Sequence, residues 1–281
     1  MQAIIDIHPD QADLDRRFAG VARLYGRAAV TRFAGAHVCV IGVGGVGSWV
    51  VEALARSAVG RITMIDLDNL AESNVNRQIH ALTDTLGMAK VSALTQRIAQ
   101  INPACAVTEV EDFVTPENVA QMLGAQKYDY VIDAIDDVTA KTAVIAHCRA
   151  QHIALLTIGG AGGQIDPTRI TIRDLSKTEQ EPLLAKVRKR LRAQHGFPRG
   201  DRNSFGIEAV FSTESLRWPA DDHACEVGGV SGLNCAGFGS SVAVTASFGL
   251  VAAAHVLRKL AQPASADVDS VAPTAVLAAS S

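Results

Sequence analysis

Three glycines with the spacing G-x-G-x-x-G follow a short apolar run and are the first residues that suggest chemistry. Gly42, Gly44 and Gly47 carry this spacing, and Gly45 adds a fourth glycine. A strand that runs through a glycine turn into a helix N-terminus presents backbone N–H groups to phosphate. We expect Gly42 to permit the turn, Gly44 to admit a phosphate, and Gly47 to let the helix pack closely. NAD, FAD and ATP all suit this motif, so it predicts a phosphate site without naming the nucleotide.

Charged residues farther along the chain narrow the choice of nucleotide. Asp66 ends a second apolar run, at the place where an acid binds ribose hydroxyls in such folds. Arg77 offers a planar fork for phosphate oxygens, and Lys90 offers a compact positive charge near a predicted helix start. Both cations favour a triphosphate over a nicotinamide ring, and Asp136 follows a later strand, where a carboxylate can hold Mg²⁺. The polar residues that complete this predicted site are Asp68, Asn74 and Gln78.

Alternating strand and helix patterns predict the elements that position these residues. The predicted strands cover 36–41, 61–66, 106–110, 128–133 and 153–158, and the predicted helices between them cover 48–58, 87–100, 116–123 and 139–151. This order is typical of an α/β fold with a Rossmann-like, doubly wound, mainly parallel sheet. The C-terminal part predicts added strands and helices, with strands over 170–173 and 207–211 that could be antiparallel and helices over 182–195 and 238–260. Residues 13–33 predict one or two helices before the first strand.

The predicted organisation of the 281 residues is one domain between two loosely ordered ends. Residues 1–15 are expected to be a flexible N-terminus, and residues 261–281, rich in Ala, Ser, Pro and Asp, a disordered tail. The domain over 16–260 divides into a nucleotide-binding core, 35–160, and a C-terminal subregion, 161–260.

Composition limits the class of protein. With 48% hydrophobic residues, 20% charged residues and a net charge of −3, the chain predicts a folded protein and not a generally basic nucleic-acid binder. A local basic patch is still compatible with that charge. Five cysteines without a C-x-x-C pair argue against a disulfide framework and against a four-thiolate zinc site. The acidic N-terminus lacks the apolar core of a signal peptide, so a cytoplasmic location is expected.

An almost wholly apolar segment at 242–257 has two interpretations. It is somewhat short for a membrane span of roughly 20 residues, and His255 lies within it. A buried helix of the core is therefore the favoured interpretation. Peripheral membrane contact is the weaker alternative.

Five motifs in chain order give the chain a family resemblance. G-x-G-G-x-G, I-D-x-D, S-N-x-x-R-Q, G-x-x-K and D-x-x-D together resemble the adenylating domain of ubiquitin-activating enzymes and of the bacterial activators of molybdopterin and thiamine sulfur carriers. Further segments look like the tRNA threonylcarbamoyladenosine dehydratase branch of that superfamily. Those segments are 23–26 (R-L-Y-G), 76–82 (N-R-Q-I-H-A-L), 112–116 (D-F-V-T-P), 157–167 (T-I-G-G-A-G-G-Q-I-D-P) and 210–214 (V-F-S-T-E).

The resemblance implies an ATP-dependent ring closure of threonylcarbamoyladenosine in tRNA, next to the anticodon, through an acyl-adenylate. It implies that Gly44 and its neighbours bind the nucleotide, Asp66 the ribose, Asn74, Arg77 and Lys90 the triphosphate, and Asp136 the Mg²⁺. Arg23 matches an arginine that reaches the phosphates from the partner subunit, which implies a homodimer. Cys235 is a candidate nucleophile or a small structural residue. A monovalent cation and a sulfur-transfer protein partner are further possibilities that the sequence leaves open.

A tRNA substrate requires a basic surface, and the predicted helix over 182–195 offers one. Its apolar residues Leu184, Val187 and Leu191 are expected to face inward. A solvated helix face is the alternative interpretation of such a charge run. The predicted phosphate-contacting residues are Lys186, Arg188, Lys189, Arg190 and Arg192.

Three rival functions stay open at the level of sequence. The first is an adenylyltransferase that activates the C-terminus of a ubiquitin-like or sulfur-carrier protein, although the zinc-binding C-x-x-C pairs usual in that group are missing. The second is an NAD-dependent oxidoreductase, against which Arg77 and Lys90 argue. The third is a non-catalytic scaffold that kept the fold, against which Arg23 and Asp136 argue as well.

Overall fold

A seven-stranded sheet forms the centre of the protein. The computed structural model describes residues 13–200, 203–217 and 238–262. The strands are β1 (His37–Ile41), β2 (Arg61–Ile65), β3 (Ala106–Val110), β4 (Tyr130–Asp133), β5 (Leu155–Ile158), β6 (Ile170–Asp174) and β7 (Glu208–Ser212). They lie in the order β3-β2-β1-β4-β5-β7-β6, and only the β6–β7 pair is antiparallel. The predicted doubly wound, mainly parallel α/β sheet is therefore confirmed.

The central strand β1 marks the point at which the strand order reverses. Val40 pairs with Met64 of β2 on one side and with Ile132 of β4 on the other. The chain after β1 builds β2 and β3 on one side and then returns to build β4 and β5 on the other. In such sheets a ligand cleft opens at the carboxyl ends of the strands beside this switch point.

Eight helices cover the sheet in the described ranges. They are α1 (Leu14–Tyr25), α2 (Arg27–Gly35), α3 (Gly47–Ala55), α4 (Lys90–Ile101), α5 (Val119–Gly124), α6 (Val138–Ala150), α7 (Pro182–Gln194) and α8 (Val242–Leu260). Buried side chains of α2, α3, α4 and α8 form one apolar layer, for example Phe33, Leu54 and Phe248. Those of α5, α6 and α7 form the layer on the opposite face.

Helix boundaries differ from the predicted ones where side chains cap a backbone. Asp13 accepts a hydrogen bond from the Arg16 amide at 2.9 Å, so α1 begins at Leu14, inside the segment expected to be flexible. Gly26, with φ +87°, separates α1 from α2, so the predicted one or two helices are two. The helix predicted from residue 116 begins at Val119 because Asn118 accepts from the Thr115 amide at 2.7 Å and closes a turn there.

Helix α8 carries the apolar segment and packs into the core. By length and composition alone this helix could cross a membrane, but 50% of its apolar stretch is buried inside the fold. Phe248 and Val256 are buried, and Gly249 lies so close to α3 that a Cβ would stand 2.6 Å from the Val46 carbonyl oxygen. This packing supports the buried-helix interpretation. Ser241 caps the helix, which therefore starts at Val242 and not at residue 238.

Candidate functional site

A cavity of about 620 Å³ opens at the carboxyl ends of β1, β2, β4 and β5. It lies at the switch point of the sheet, as the fold predicts. Nearly all residues of the predicted nucleotide site line it, although they come from five separate stretches of the chain. They are Gly42, Gly44, Gly45, Asp66, Asp68, Asn74, Arg77, Gln78, Lys90 and Asp136.

The four glycines divide into those that the fold requires and those that leave room for a ligand. Gly42 has φ +81°, a conformation that side chains disfavour, and a Cβ on Gly47 would stand 1.8 Å from the Gly42 carbonyl oxygen. Gly47 therefore packs α3 onto the turn and does not line the cavity. A Cβ on Gly44 would meet no atom nearer than Gln78 Nε2 at 3.8 Å. The amides of Gly44 and Gly45 donate to no acceptor in the described ranges, so both can bind phosphate oxygens.

Asp66 ties the end of β2 to the glycine turn. Its carboxylate accepts hydrogen bonds from the Val43 amide at 2.8 Å and from the Asp68 amide at 3.0 Å. Burial raises the pKa of Asp66, while Lys90 and these two amides oppose the rise. The carboxylate is thus held in place at the cavity wall by backbone donors.

Lys90 is the first residue of α4 and sits against both carboxylates of the I-D-x-D motif. Its Nζ lies 2.6 Å from Asp68 Oδ2 and 3.6 Å from Asp66 Oδ1. Lys90 and Asp66 are buried, whereas the Asp68 side chain is 55% exposed. An incoming anion can therefore compete with Asp68 for the lysine without entering the core.

Arg77 reaches the glycine turn from the loop after β2. A Cβ on Gly45 would stand 3.1 Å from Arg77 Cδ, so this glycine leaves space for the arginine. The guanidinium donates to the Ser73 carbonyl at 2.7 Å and to Asn76 Oδ1 at 2.9 Å. Burial lowers the pKa of Arg77, and attraction to Asp136 opposes that shift. Both residues line the cavity, so Arg77 and Asp136 are charges of opposite sign in one site.

The side-chain amides of Asn74 and Gln78 differ in their hydrogen bonding. Asn74 Oδ1 accepts from the Ala71 amide at 3.0 Å and shapes the loop. Gln78 is buried, and its Oε1 has no hydrogen-bond partner in the part of the chain that the structure describes. Gln78 can therefore accept a hydrogen bond from a ligand in the cavity.

Asp136 and Asp137 follow β4 and have different roles. Asp137 accepts from the Ala140 amide at 2.7 Å and caps α6. Asp136 is exposed at the cavity and accepts no hydrogen bond from the described residues. A magnesium ion with phosphate ligands needs only one or two carboxylates, so Asp136 fits that role although the described residues hold no group of three metal-ligating side chains.

Sequence reasoning missed a buried polar cluster beneath the cavity. Lys141 Nζ lies 2.8 Å from Asp133 Oδ2, and Thr157 donates to the same oxygen at 2.7 Å. All three side chains are completely buried and join β4, β5 and α6. The available signals were Asp133 at the end of β4, Thr157 within β5 and Lys141 among the small residues of α6, but spacing alone could not show that they meet.

Glu181 is a second missed residue of the cavity wall. Its carboxylate accepts from the Gly160 amide at 2.8 Å and from the Leu184 amide. Burial raises the pKa of Glu181, and those hydrogen bonds together with Lys141 oppose the rise. The residue therefore connects the start of α7 to the glycine loop after β5, where a Cβ on Gly159 would stand 3.0 Å from Glu181 Cδ.

The remaining predicted residues of the site are Arg23 and Cys235. Arg23 is exposed on α1 and does not line the cavity within one chain. Cys235 lies outside the described residues.

The five basic residues of α7 that are predicted to contact tRNA differ in their surroundings. Leu184, Val187 and Leu191 are buried, as predicted. Three of the five basic residues already have partners within the chain, because long side chains on a packed helix reach neighbouring polar groups. Arg188 donates to Thr178 Oγ1, Arg190 to Thr139 Oγ1 at 2.5 Å, and Arg192 to the Pro198 carbonyl at 3.3 Å. Lys186 and Lys189 are exposed.

A glycine turn, two cations and several carboxylates at the switch point of a mainly parallel sheet define a nucleotide-binding protein suited to phosphoryl chemistry. The chain belongs to the ThiF family, whose profile matches residues 15–277. This result confirms the resemblance to adenylating enzymes that the motifs indicate.

The comparisons with individual proteins point to one branch of the family. The tRNA threonylcarbamoyladenosine dehydratase of Escherichia coli is 53% identical over 251 residues, covering 87% of this chain and 93% of that protein. The protein of the same name from Haemophilus influenzae is 49% identical over 247 residues, covering 88% and 94%. The crystal structure of the Escherichia coli enzyme in complex with ATP matches with a TM-score of 0.80 and 50% identity, covering 91% and 97%.

Proposed function

We propose that this protein uses ATP to dehydrate threonylcarbamoyladenosine in tRNA, closing a ring on the modified base next to the anticodon. The observation that carries the proposal is that one cavity gathers the glycine turn, Asp66, Arg77, Lys90 and Asp136. About half of the residues are identical to relatives that bear the dehydratase name.

The cavity offers a group for each part of ATP. The free amides of Gly44 and Gly45 would bind phosphate oxygens at the start of α3. Asp66, held by two amides, would bind the ribose hydroxyls, and Asp68 would release Lys90 when the phosphates arrive. The triphosphate would then contact Asn74, Arg77, Gln78 and Lys90.

Asp136 would hold the Mg²⁺ that accompanies the triphosphate. It is the carboxylate of the site that is exposed to the cavity and has no hydrogen-bond donor in the described ranges. Bound there, Mg²⁺ would neutralise phosphate charge. Arg77 lines the same cavity as Asp136 and would contribute to the same neutralisation.

The reaction needs an electrophilic carboxyl group. The threonyl carboxylate would attack the α-phosphorus of ATP, forming an acyl-adenylate and releasing pyrophosphate. The carbamoyl group would then attack the activated carbonyl carbon within the same molecule, and AMP would leave. The net change is the loss of one water from the nucleoside, and the protein contributes placement and charge neutralisation.

Arg23 would complete the site from a second copy of the chain. It is exposed on α1 and lies outside the cavity of its own chain, as a residue donated to a partner would. A symmetric homodimer would use this contact twice.

The tRNA would contact α7 through its backbone phosphates. Lys186 and Lys189 are the exposed cations of this helix, while Arg188, Arg190 and Arg192 have partners within the chain and would bind phosphate after exchanging them. Glu181 at the start of the helix connects this surface to the cavity. The candidate nucleophile Cys235, the monovalent cation, the sulfur-transfer partner and the cytoplasmic location stay predictions from the sequence.

The proposal is tested by following the modified nucleoside by mass after incubation of the protein with ATP and tRNA that carries threonylcarbamoyladenosine. We expect ATP-dependent loss of one water in the wild type and a loss of activity in Arg77→Ala. Binding of NAD in preference to ATP, without ATP-dependent loss of water, would support the oxidoreductase alternative. AMP transfer to the C-terminus of a carrier protein, without change to the nucleoside, would support the adenylyltransferase alternative.

A further inference from the structure

The cavity has two halves, and the nucleotide needs only one of them. An acid after β2 that binds ribose directs the base of the nucleotide towards β3, where Asp112 and Phe113 line the wall. The other half lies beside β5 and α8 and is lined by Gly159–Gly162, Glu181 and Thr245. This half is left for the molecule that reacts with ATP.

Thr245 is the unusual residue of the β5 half. It lies near the start of α8, is only 3% exposed, and lines the cavity. Its Oγ1 has no hydrogen-bond partner in the described part of the chain. A buried hydroxyl without a partner disfavours folding, so the fold alone does not account for a threonine here.

The glycine loop after β5 supplies two more donors in the same half. Gly160 donates to Glu181 at 2.8 Å, and Gly163 donates to the Gly239 carbonyl at 2.8 Å, so the loop is held on both sides. Between these anchors, the amides of Ala161 and Gly162 donate to no acceptor within the described ranges. Ala161 and Val244, the neighbour of Thr245, are both buried in the apolar cluster on the face of the sheet where α8 packs against β5, and the loop and Thr245 line the same cavity.

We propose that Thr245 Oγ1 and the amides of Ala161 and Gly162 form the subsite for the acyl carbonyl oxygen of the second substrate. This inference rests on the proposed function. During ring closure a carbamoyl N–C bond forms at the carbonyl carbon, and negative charge develops on the carbonyl oxygen. The C–O bond to AMP then breaks, and the proton from nitrogen passes to water. Fixed donors aimed at that oxygen stabilise the developing charge.

Glu181 is a positioning residue in this arrangement. Its carboxylate fixes the Gly160 amide and so sets the direction of the next two amides. The glycines of the loop lie against neighbouring side chains, because a Cβ on Gly159 would stand 3.0 Å from Glu181 Cδ and a Cβ on Gly162 would stand 3.4 Å from Phe238 Cβ.

The test compares Thr245→Val, Thr245→Ala and Thr245→Ser with the wild type, using ATP and tRNA that carries threonylcarbamoyladenosine. Removal of one such donor is expected to lower kcat by about 100-fold, with ATP affinity unchanged. Thr245→Val is nearly isosteric and removes an unpaired buried hydroxyl, so its Tm should equal or exceed that of the wild type. Thr245→Ser keeps the hydroxyl and should restore most of the rate.

A matched control lies on the same helix. Ser247 donates to the Ala243 carbonyl at 2.7 Å and does not line the cavity, so Ser247→Ala should keep the wild-type rate. A wild-type protein that forms no dehydrated nucleoside would overturn the proposed function itself. If the wild type is active and Thr245→Val is equally active, the subsite is overturned while the proposed function stands. The subsite is also overturned if the valine and alanine variants lose rate only in proportion to a loss of Tm.

Discussion

Two lysine–carboxylate pairs lie at the carboxyl ends of parallel strands, one in the wall of the cavity and one beneath it. Lys90 pairs with Asp68, whose side chain is 55% exposed, whereas Lys141 and Asp133 are both completely buried. The Nζ to oxygen distances are 2.6 Å and 2.8 Å, so geometry does not separate the pairs. Access separates them, because a phosphate can replace Asp68 beside Lys90 but cannot reach Lys141.

This difference in solvent access gives the two lysine–carboxylate pairs different roles, although their chemical groups are the same. The open pair can exchange one anion for another at little cost, since water already solvates Asp68. The buried pair has left water completely and can only be broken by leaving a charge without compensation. We therefore expect Lys141 to matter for stability and Lys90 to matter for activity.

The largest effect on stability should come from Lys141→Met. This change leaves Asp133 charged and buried, and we expect the free energy of unfolding to fall by about 3–5 kcal/mol. Denaturant unfolding measures this loss. In the double variant Lys141→Met, Asp133→Asn both charges are gone, and part of the stability should return. A single variant as stable as the wild type would show that the buried pair contributes nothing.

Lys90→Met should have the opposite profile. We expect kcat/KM for ATP-dependent dehydration to fall by about 10²- to 10³-fold, because the variant lacks the lysine that neutralises phosphate charge beside Arg77. The free energy of unfolding should fall by only about 1–2 kcal/mol, because the partner Asp68 is solvated and the buried Asp66 keeps the hydrogen bonds from the Val43 and Asp68 amides. Steady-state kinetics and denaturant unfolding give the two values. Equal losses of stability in Lys90→Met and Lys141→Met would contradict the contrast.

A carboxylate without any lysine sharpens the comparison. Asp174 lies at the end of β6; burial would raise its pKa, but hydrogen bonds from Ser176, Ser204 and the Phe205 amide lower it to about 2. Because the folded pKa is depressed, the stabilisation is present above about pH 4 and is lost as pH falls towards 2. After allowance for solvent screening, about 1 kcal/mol of stability should be lost in that range. Asp174→Asn should remove this part of the acid dependence, which unfolding at several pH values would reveal.

Lys186 and Lys189 have no carboxylate partner among the described residues, and their replacement should have the smallest effect of the changes compared here. The double variant Lys186→Glu, Lys189→Glu should bind tRNA more weakly than the wild type. Its binding should also depend less on salt: the slope of log K against log salt concentration should change by about 0.9 for each phosphate that the protein no longer neutralises. ATP affinity should stay unchanged because α7 presents these lysines away from the cavity lining. Titrations at several salt concentrations test this, with Lys177→Glu as a control outside the helix. Unchanged tRNA affinity would exclude α7 as the binding surface.

The sequence predicted Asp68, Lys90 and the glycine turn as parts of the site because they lie in local motifs, although it did not predict that Lys90 pairs with Asp68. Gly42 and Gly47 are required by backbone geometry within one turn, and Asp66, Asp68 and Lys90 follow in an order that a βαβ unit brings together. The strand order near β1 follows from the same alternation of elements. These features depend on short stretches and on general rules of parallel sheets.

The buried cluster and the β5 half of the cavity could not be predicted in the same way. Lys141 is eight residues from Asp133 and sixteen from Thr157, and only the packing of α6 on the sheet shows that they meet. Thr245 lies in a mostly apolar helix, and the sequence does not show which residues of that helix line the cavity. For the basic helix α7, the sequence showed the run of charges, but it did not show that Arg188 and Arg192 have hydrogen-bond partners within the chain.

The most direct test of the proposed function is the release of pyrophosphate by the purified protein with ATP and two tRNA samples, one that carries threonylcarbamoyladenosine and one that lacks it. We predict release only with the modified tRNA, since the threonyl carboxylate is the group that attacks ATP. Release at the same rate with both samples, or with neither, would contradict the assignment of this cavity to dehydration of the modified nucleoside.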